Sequence, residues 1–201
     1  GLKLKPRKCE FCKQKIQHLG YIAGPEGVSP VESKLKLIQD WAVPTSLKEL
    51  RGFLGFINRY FTFYPHMALV TAPLARATGL KNFIWTKEMQ KAFEITKQKL
   101  ANVNTLTIIE AKGDLILETD ASGIGIGAVL LQVQNGQERP IAYYSKTLNN
   151  SERNYDVCKR EMFALVKAVK YFSLCLAGNK FIVRTDNAGL RWWRNMEVSP
   201  G

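Results

Sequence analysis

The hydrophobic pattern changes period near Asp114, and this change limits the folds open to the chain more than any other feature. Upstream, Leu47, Leu50, Leu54, Ile57 and Phe61 recur at helical spacing, as do Met89, Ala92, Phe93, Thr96 and Leu100, so each set marks one face of a helix. Downstream, residues 115–119, 125–133 and 140–145 read as three strands joined by glycine-containing turns, with Gln134-Asn-Gly-Gln137 as a hairpin signal. A chain of 201 residues with 46% hydrophobic content has room for one good core or two small ones. The change of period favours two units, a mainly helical first half and an α+β sheet unit.

Punctuation refines the outline. Residues 15–22 read as one strand, closed by the turn chemistry of Gly24-Pro-Glu-Gly27. Ser29-Pro-Val-Glu32 has the form of a capping box with proline at the first helical position, predicting a helix to about Trp41. Ser46-Leu-Lys-Glu49 is a second capping box, whose helix runs on toward Pro65. A short helix over 67–77 and another after Thr86 complete the first half. In the second half, one long helix is predicted over 151–176, with Met162, Leu165, Val166, Val169 and Phe172 inward. A strand over 181–185 and a helix beginning near Ala188 follow, giving the order βββαβ.

Charge is uneven. Residues 1–100 hold 17 Lys/Arg against 7 Asp/Glu, and residues 101–201 hold 12 against 10. A basic excess confined to one half and interleaved with aromatics predicts a polyanionic partner, nucleic acid first, through counterion release. The four cysteines, Cys9, Cys12, Cys158 and Cys175, make no disulfide framework for a chain of this size. Cys9, Cys12 and His18 have no second Cys/His pair at zinc-site spacing. No apolar run is long enough to cross a bilayer and the N-terminus lacks a signal-like segment, so a soluble, intracellular protein without membrane contact is expected.

Three acids stand out by placement. Asp120 and Asp186 each follow an apolar strand ending in threonine, and Glu161 lies in the long helix beside its apolar stripe. Singly each is ordinary, a turn aspartate or a solvated glutamate. Together, on strand, helix and strand, they suit magnesium, which takes oxygen ligands, and two-metal phosphodiester hydrolysis with ions about 4 Å apart.

The residues carrying these acids also carry a resemblance: Asp120-Ala-Ser-Gly-Ile-Gly-Ile-Gly127, Pro140-Ile-Ala-Tyr-Tyr-Ser-Lys146, Asn154-Tyr155, Glu161-Met-Phe-Ala-Leu-Val166 and Thr185-Asp186-Asn187. In this order they resemble the ribonuclease H domain of gypsy-type long-terminal-repeat retrotransposon Pol polyproteins. The resemblance implies that Asp120, Glu161 and Asp186 are catalytic metal ligands for two Mg2+ (or Mn2+) ions, hydrolysing the RNA strand of RNA–DNA hybrids. The family carries a fourth acid further along, beyond this sequence, which implies a ribonuclease H-like mixed sheet incomplete at its C-terminal end. Asn187 stands where related elements often have histidine.

The resemblance continues upstream through Lys8-Cys-Glu-Phe-Cys12, His18-Leu-Gly-Tyr21, Lys48-Glu-Leu-Arg-Gly-Phe-Leu-Gly-Phe-Ile-Asn-Arg-Tyr60 and Phe83-Ile-Trp-Thr86. It implies the end of a reverse transcriptase palm with primer grip over 1–28, a thumb over 29–80, a connection over 81–112 and the ribonuclease H-like domain over 113–201. His18, Leu19, Gly20 and Tyr21 match the primer grip. Lys48, Gly52 and Phe56 recur every four residues beside the stripe Arg51, Gly55, Arg59. Two glycines inside one helix suggest close approach of another backbone, either a packed helix or nucleic acid. By resemblance Lys48, Gly52 and Phe56 would follow a duplex minor groove and Arg51 and Arg59 would meet phosphates. No Asp-Asp pair of the kind polymerase palms use occurs in the chain. The implied partners are RNA–DNA hybrid, DNA duplex and the rest of a Pol polyprotein, with palm and fingers upstream and integrase downstream, in the cytoplasm or a virus-like particle. A catalytically inactive, hybrid-binding remnant of a transposon-derived protein is the alternative.

Overall fold

A computed structural model describes residue 9 and residues 11–80, 82–103 and 105–185. At its start, Leu19 and Gly20 take φ of 51° and 88°, closing a two-residue turn between β1 (Ile16–His18) and β2 (Tyr21–Gly24). Successive positive φ is the backbone of a tight hairpin turn, so the single strand expected over 15–22 is instead the first hairpin. β3 (Gly27–Pro30) continues the antiparallel sheet, pairing Tyr21 with Pro30. Ser29 and Pro30 therefore belong to a strand. The helix α1 (Glu32–Gln39) starts after Val31 without a side-chain cap, because the strand ladder has taken the segment that the local capping signal competed for.

The other helix starts behave as their residues dictate. In α2 (Leu47–Asn58) the Ser46 hydroxyl accepts the Glu49 N–H at 3.3 Å. The Glu49 carboxylate reaches past Ser46 to the Thr45 N–H and hydroxyl, at 2.8 and 3.0 Å, which hold its pKa below the usual range. The helix ends at Asn58, and Phe61 falls in a 3-10 turn (Phe61–Phe63) rather than on the stripe of α2. The helix expected over 67–77 is divided into α3 (Met67–Val70) and α4 (Ala72–Ala77). Pro73 has no N–H to give the carbonyl four residues back. In α5 (Lys87–Ala101) Thr86 caps the start, and Met89, Ala92, Phe93, Thr96 and Leu100 are the buried face.

These helices and the three-stranded sheet share one core. Ile38, Leu50, Phe53, Ile57, Tyr60 and Phe93 are inaccessible or nearly so, and Phe53 packs on Phe93 in a tilted arrangement with ring centroids 4.8 Å apart. Gly27, at φ 123°, meets the 105–106 segment so closely that a Cβ would stand 2.1 Å from the Leu106 carbonyl oxygen. Val28 and Leu106 exchange backbone hydrogen bonds of 2.7 and 2.9 Å there.

The second sheet is a meander of β4 (Leu115–Ala121), β5 (Gly125–Gln134) and β6 (Gln137–Thr147). Its β5–β6 turn uses positive φ at Asn135 and Gly136. β7 (Phe181–Arg184) joins parallel to β4, giving the order β6-β5-β4-β7. The long helix expected over 151–176 is three pieces, α6 (Asn150–Arg153), α7 (Val157–Tyr171) and α8 (Ser173–Leu176). Asp156 starts α7 afresh by accepting the Lys159 N–H at 2.8 Å. The inward face of α7 matches the expectation in part: Phe172 at its C-cap is buried and Leu165 and Val169 pack on the sheet core, whereas Val166 is 57% exposed and Glu161, Ala164 and Ala168 are buried as well. Alanine lets the helix lie close to the sheet, so small side chains mark the contact.

The two halves meet on the other sheet face. The Ala68 N–H donates to Ser145 Oγ at 2.9 Å, and Tyr143 of β6 packs on the helical core. Gly125 and Gly127 make room for this contact. A Cβ on Gly125 would lie 2.1 Å from Leu69 Cδ2, and one on Gly127 would lie 2.8 Å from two atoms of the His66 imidazole.

Candidate active site and nucleic-acid surface

Side chains alternate along β4. Leu115 and Leu117 pack with Ala168 of α7, so Glu118 and Asp120 point to the opposite side. Asp120 is exposed near the end of the strand and pairs across to Gly127, which adds no side chain in front of it. Glu161 comes from α7 and is 5% exposed. The two acids thus approach the end of β4 from opposite faces of the sheet. Asp186 lies outside the described residues, and among the described residues no three His, Cys, Asp or Glu side chains group around one point. The donors of Asp120 and Glu161 are carboxylate oxygens, the chemistry a hard divalent cation takes.

Asp120 opens into a cavity of about 460 Å³ between the sheet and the helical half, lined also by Pro65, His66, Glu118, Val129, Tyr143 and Arg184. Arg184 bridges Glu118 and the two oxygens of Glu138, the latter at 2.7 and 3.0 Å. The guanidinium holds the Glu138 carboxyl below its usual range, and Glu138 and Glu118 keep Arg184 the more firmly charged. His66 and Tyr143 escaped sequence reasoning. Pro65 reads as a helix break, but the left-handed φ of 58° that turns His66 onto Gly127 has no sequence signal of its own.

The candidate nucleic-acid residues form a second surface. Lys48, Arg51, Gly52 and Arg59 are exposed, and Phe56 is half-buried between Trp41 and Tyr60 at centroid distances of 5.3 and 6.0 Å. A Cβ at Gly52 or Gly55 would meet nothing within 4 Å. Among the described residues, the glycines of α2 therefore serve no helix packing. Arg51 donates to the Thr78 carbonyl at 2.8 Å, tying α2 to the end of α4, while the Arg59 guanidinium lies 5.9 Å from the Phe56 ring centre.

The first hairpin adjoins this helix. Tyr21 donates its hydroxyl hydrogen to the Arg59 carbonyl at 3.1 Å and stacks on Phe63, and burial raises its phenol pKa. His18 and Tyr21 flank the turn, and Leu19 at its tip is 75% exposed. The structure thus brings His18, Leu19, Gly20 and Tyr21 to the C-terminal end of the helix carrying Lys48, Gly52 and Arg59.

Known proteins match both halves. Residues 85–183 match the family described as the RNase H-like domain found in reverse transcriptase. The chain is 37% identical over 203 residues to the retrovirus-related Pol polyprotein from transposon 297 of Drosophila melanogaster, covering 100% of the chain and 19% of that protein. It is 34% identical over 202 residues to the corresponding polyprotein from transposon 412, covering 100% and 16%. Identity to the transposon Tf2-3 polyprotein of Schizosaccharomyces pombe is 32% over 196 residues, covering 94% and 15%. The chain therefore spans less than a fifth of the length of these relatives.

Among solved structures, a foamy viral protease-reverse transcriptase in complex with double-stranded DNA superposes with a TM-score of 0.80 at 21% identity, covering 92% of this chain and 33% of that one. The foamy viral enzyme in complex with an RNA/DNA hybrid gives 0.77 at 22%, covering 88% and 24%. These two show a shared fold. No helix among the described residues is long and apolar enough to cross a membrane. The chain is homologous along its length to part of retrotransposon Pol polyproteins, and its residues 85–183 belong to the RNase H-like domain family of reverse transcriptases.

Proposed function

We propose that the chain is the thumb, connection and ribonuclease H-like part of a retroelement reverse transcriptase, and that its second half hydrolyses the RNA strand of RNA–DNA hybrids. The observation that carries this reading is Asp120, exposed near the end of β4 and paired across to Gly127, with Glu161 buried on the helix packed against that strand. Asp186 is proposed as the third ligand. The β4–β7 register has an offset of 66 residues, Glu118 with Arg184, which is also the sequence separation of Asp120 and Asp186.

Two divalent ions, Mg2+ or Mn2+, would be held by these carboxylates and would supply a nucleophilic water and leaving-oxygen stabilisation. The protein's own groups do the rest. Gly127, opposite Asp120, admits the His66 ring beside the carboxylate, and the packing of α7 on β4 holds the two acids in a constant relation. The hairpin tip and the open glycine face of α2 would guide the duplex, with Lys48, Gly52 and Phe56 along the groove and Arg51 and Arg59 toward phosphates.

The test is cleavage of a labelled RNA–DNA hybrid with and without Mg2+ or Mn2+, beside Asp120→Asn. Metal-dependent cleavage by the wild type and its loss in the variant, with hybrid affinity retained, is the expected result. Tight, salt-sensitive binding with no cleavage under any metal condition would replace the hydrolase with an inactive hybrid-binding protein.

A further inference from the structure

Arg160 precedes Glu161 on α7 and is half-buried. Its Nε is buried without a hydrogen-bond partner, and among the described residues it enters no ion pair. A guanidinium carries five donors and no acceptor, and desolvating one of them without a partner is unfavourable. Such an arginine is poised for an anion that arrives from outside.

Its surroundings say where that anion would stand. A Cβ on Gly123 would be 3.4 Å from Arg160 Nη1, so the guanidinium lies against the turn that follows the Asp120 strand. That turn is held by Ser122, whose hydroxyl donates to the Gly125 carbonyl at 2.9 Å and accepts the Gly125 N–H at 3.1 Å. Asp120 and Glu161 make this end of the sheet acidic, and an approaching phosphodiester is repelled by both unless a fixed positive charge faces it. Arginine's planar fork matches two phosphate oxygens at once, which a lysine ammonium does not.

We infer that Arg160 is a phosphate-contacting residue for the nucleic-acid strand that crosses the acidic end of the sheet. The inference rests on the hydrolase reading for the identity of the strand, and on the half-buried guanidinium with its unpartnered Nε for the contact itself.

The experiment uses the 201-residue chain, Arg160→Gln and Arg160→Lys. Hybrid affinity is measured over a range of salt in EDTA, so that no cleavage is involved. Removing one phosphate contact lowers the slope of log affinity against log salt by about one unit in the glutamine variant and leaves it unchanged in the lysine variant. Affinity at low salt falls about tenfold for glutamine and less for lysine. A scan of hybrids carrying one neutral methylphosphonate at a time locates the contact. The wild type loses affinity at a position where the glutamine variant is insensitive and the lysine variant loses less.

An unchanged slope in a folded glutamine variant overturns the inference. Should that variant fail to fold, a scan of the lysine variant identical to wild type at every position overturns it equally. Wild-type cleavage with an unchanged slope rejects Arg160 and leaves the hydrolase. A changed slope with no wild-type cleavage rejects the hydrolase and leaves the contact.

Discussion

Gly127→Ala adds one methyl group at the point where the helical half rests on the sheet. The new Cβ would lie 2.8 Å from His66 Cε1 and Nδ1, about 0.7 Å inside ordinary contact distance. His66 begins α3 at φ 58°, so its ring can retreat mainly into the cavity beside Asp120. Overpacking of this kind costs about 1–3 kcal/mol. Replacing a glycine inside a strand returns roughly 0.5–1 kcal/mol, leaving a net loss of about 1–2 kcal/mol. For a chain of this size that is roughly 3–6 °C in Tm, read by calorimetry or circular dichroism. The decisive comparison is the same substitution in a His66→Gly background, which the left-handed φ accepts without strain. There the clash is gone and alanine should stabilise by about 0.5–1 kcal/mol, a reversal of sign. Equal destabilisation in both backgrounds would refute the claim that Gly127 exists to seat His66.

Two further outcomes follow from other parts of the molecule. Gly52→Glu points into open space and should raise helix stability by about 0.5 kcal/mol while weakening hybrid binding, measured by melting and by fluorescence anisotropy; unchanged affinity would remove the groove role of α2. Glu152 is desolvated by burial, but the Lys146 ammonium at 2.6 Å and the Asn149 N–H at 2.9 Å outweigh that and hold its pKa low. Its contribution is therefore full above the unfolded glutamate value near about 4.3 and is lost as pH falls through the lower folded value. Glu152→Ala, which also removes the capping box of α6, should cost about 2–3 kcal/mol at neutral pH. Urea melts at neutral and acid pH should show that difference shrinking toward low pH, and a difference constant with pH would exclude the ion pair as its source.

Elements whose evidence is local in sequence were legible. Ser46 and Thr86 cap their helices because a hydroxyl and an N–H three residues on need nothing distant, and the five positions spaced along α5 are its five buried residues. The 3.6 and 2.0 periods likewise located the second sheet. What failed depends on partners remote in sequence. Ser29 and Pro30 have the form of a cap, but β2 pairs with them. Leu19 carries no turn propensity, yet its neighbours pair across it. On α7 and at its C-cap the large residues Leu165, Val169 and Phe172 do pack inward, but ranking by size also drew in the exposed Val166 and passed over the buried Ala164 and Ala168. Around the candidate site, the sequence places Asp120 near a strand end and Glu161 on the helix that follows, whereas the sheet faces from which they approach, and the presence of His66 from the other half, arise only when the sheet and the helices pack.

The parallel pairing of β7 with β4 has a kinetic consequence. β4, β5 and β6 are joined by short turns and can zip as hairpins, and α7 follows within the next residues. β7 must close a loop of 66 residues onto β4, and such non-local parallel pairing is among the slow events of folding. The strand that leads to Asp186 is therefore expected to dock last, after Asp120 and Glu161 have been placed by the packing of α7 on β4. Under the proposed function, newly made chains would pass through a stage in which the first hairpin and α2 are in place while the Asp120 end of the sheet is still open, so grip would precede cutting during the protein's own maturation.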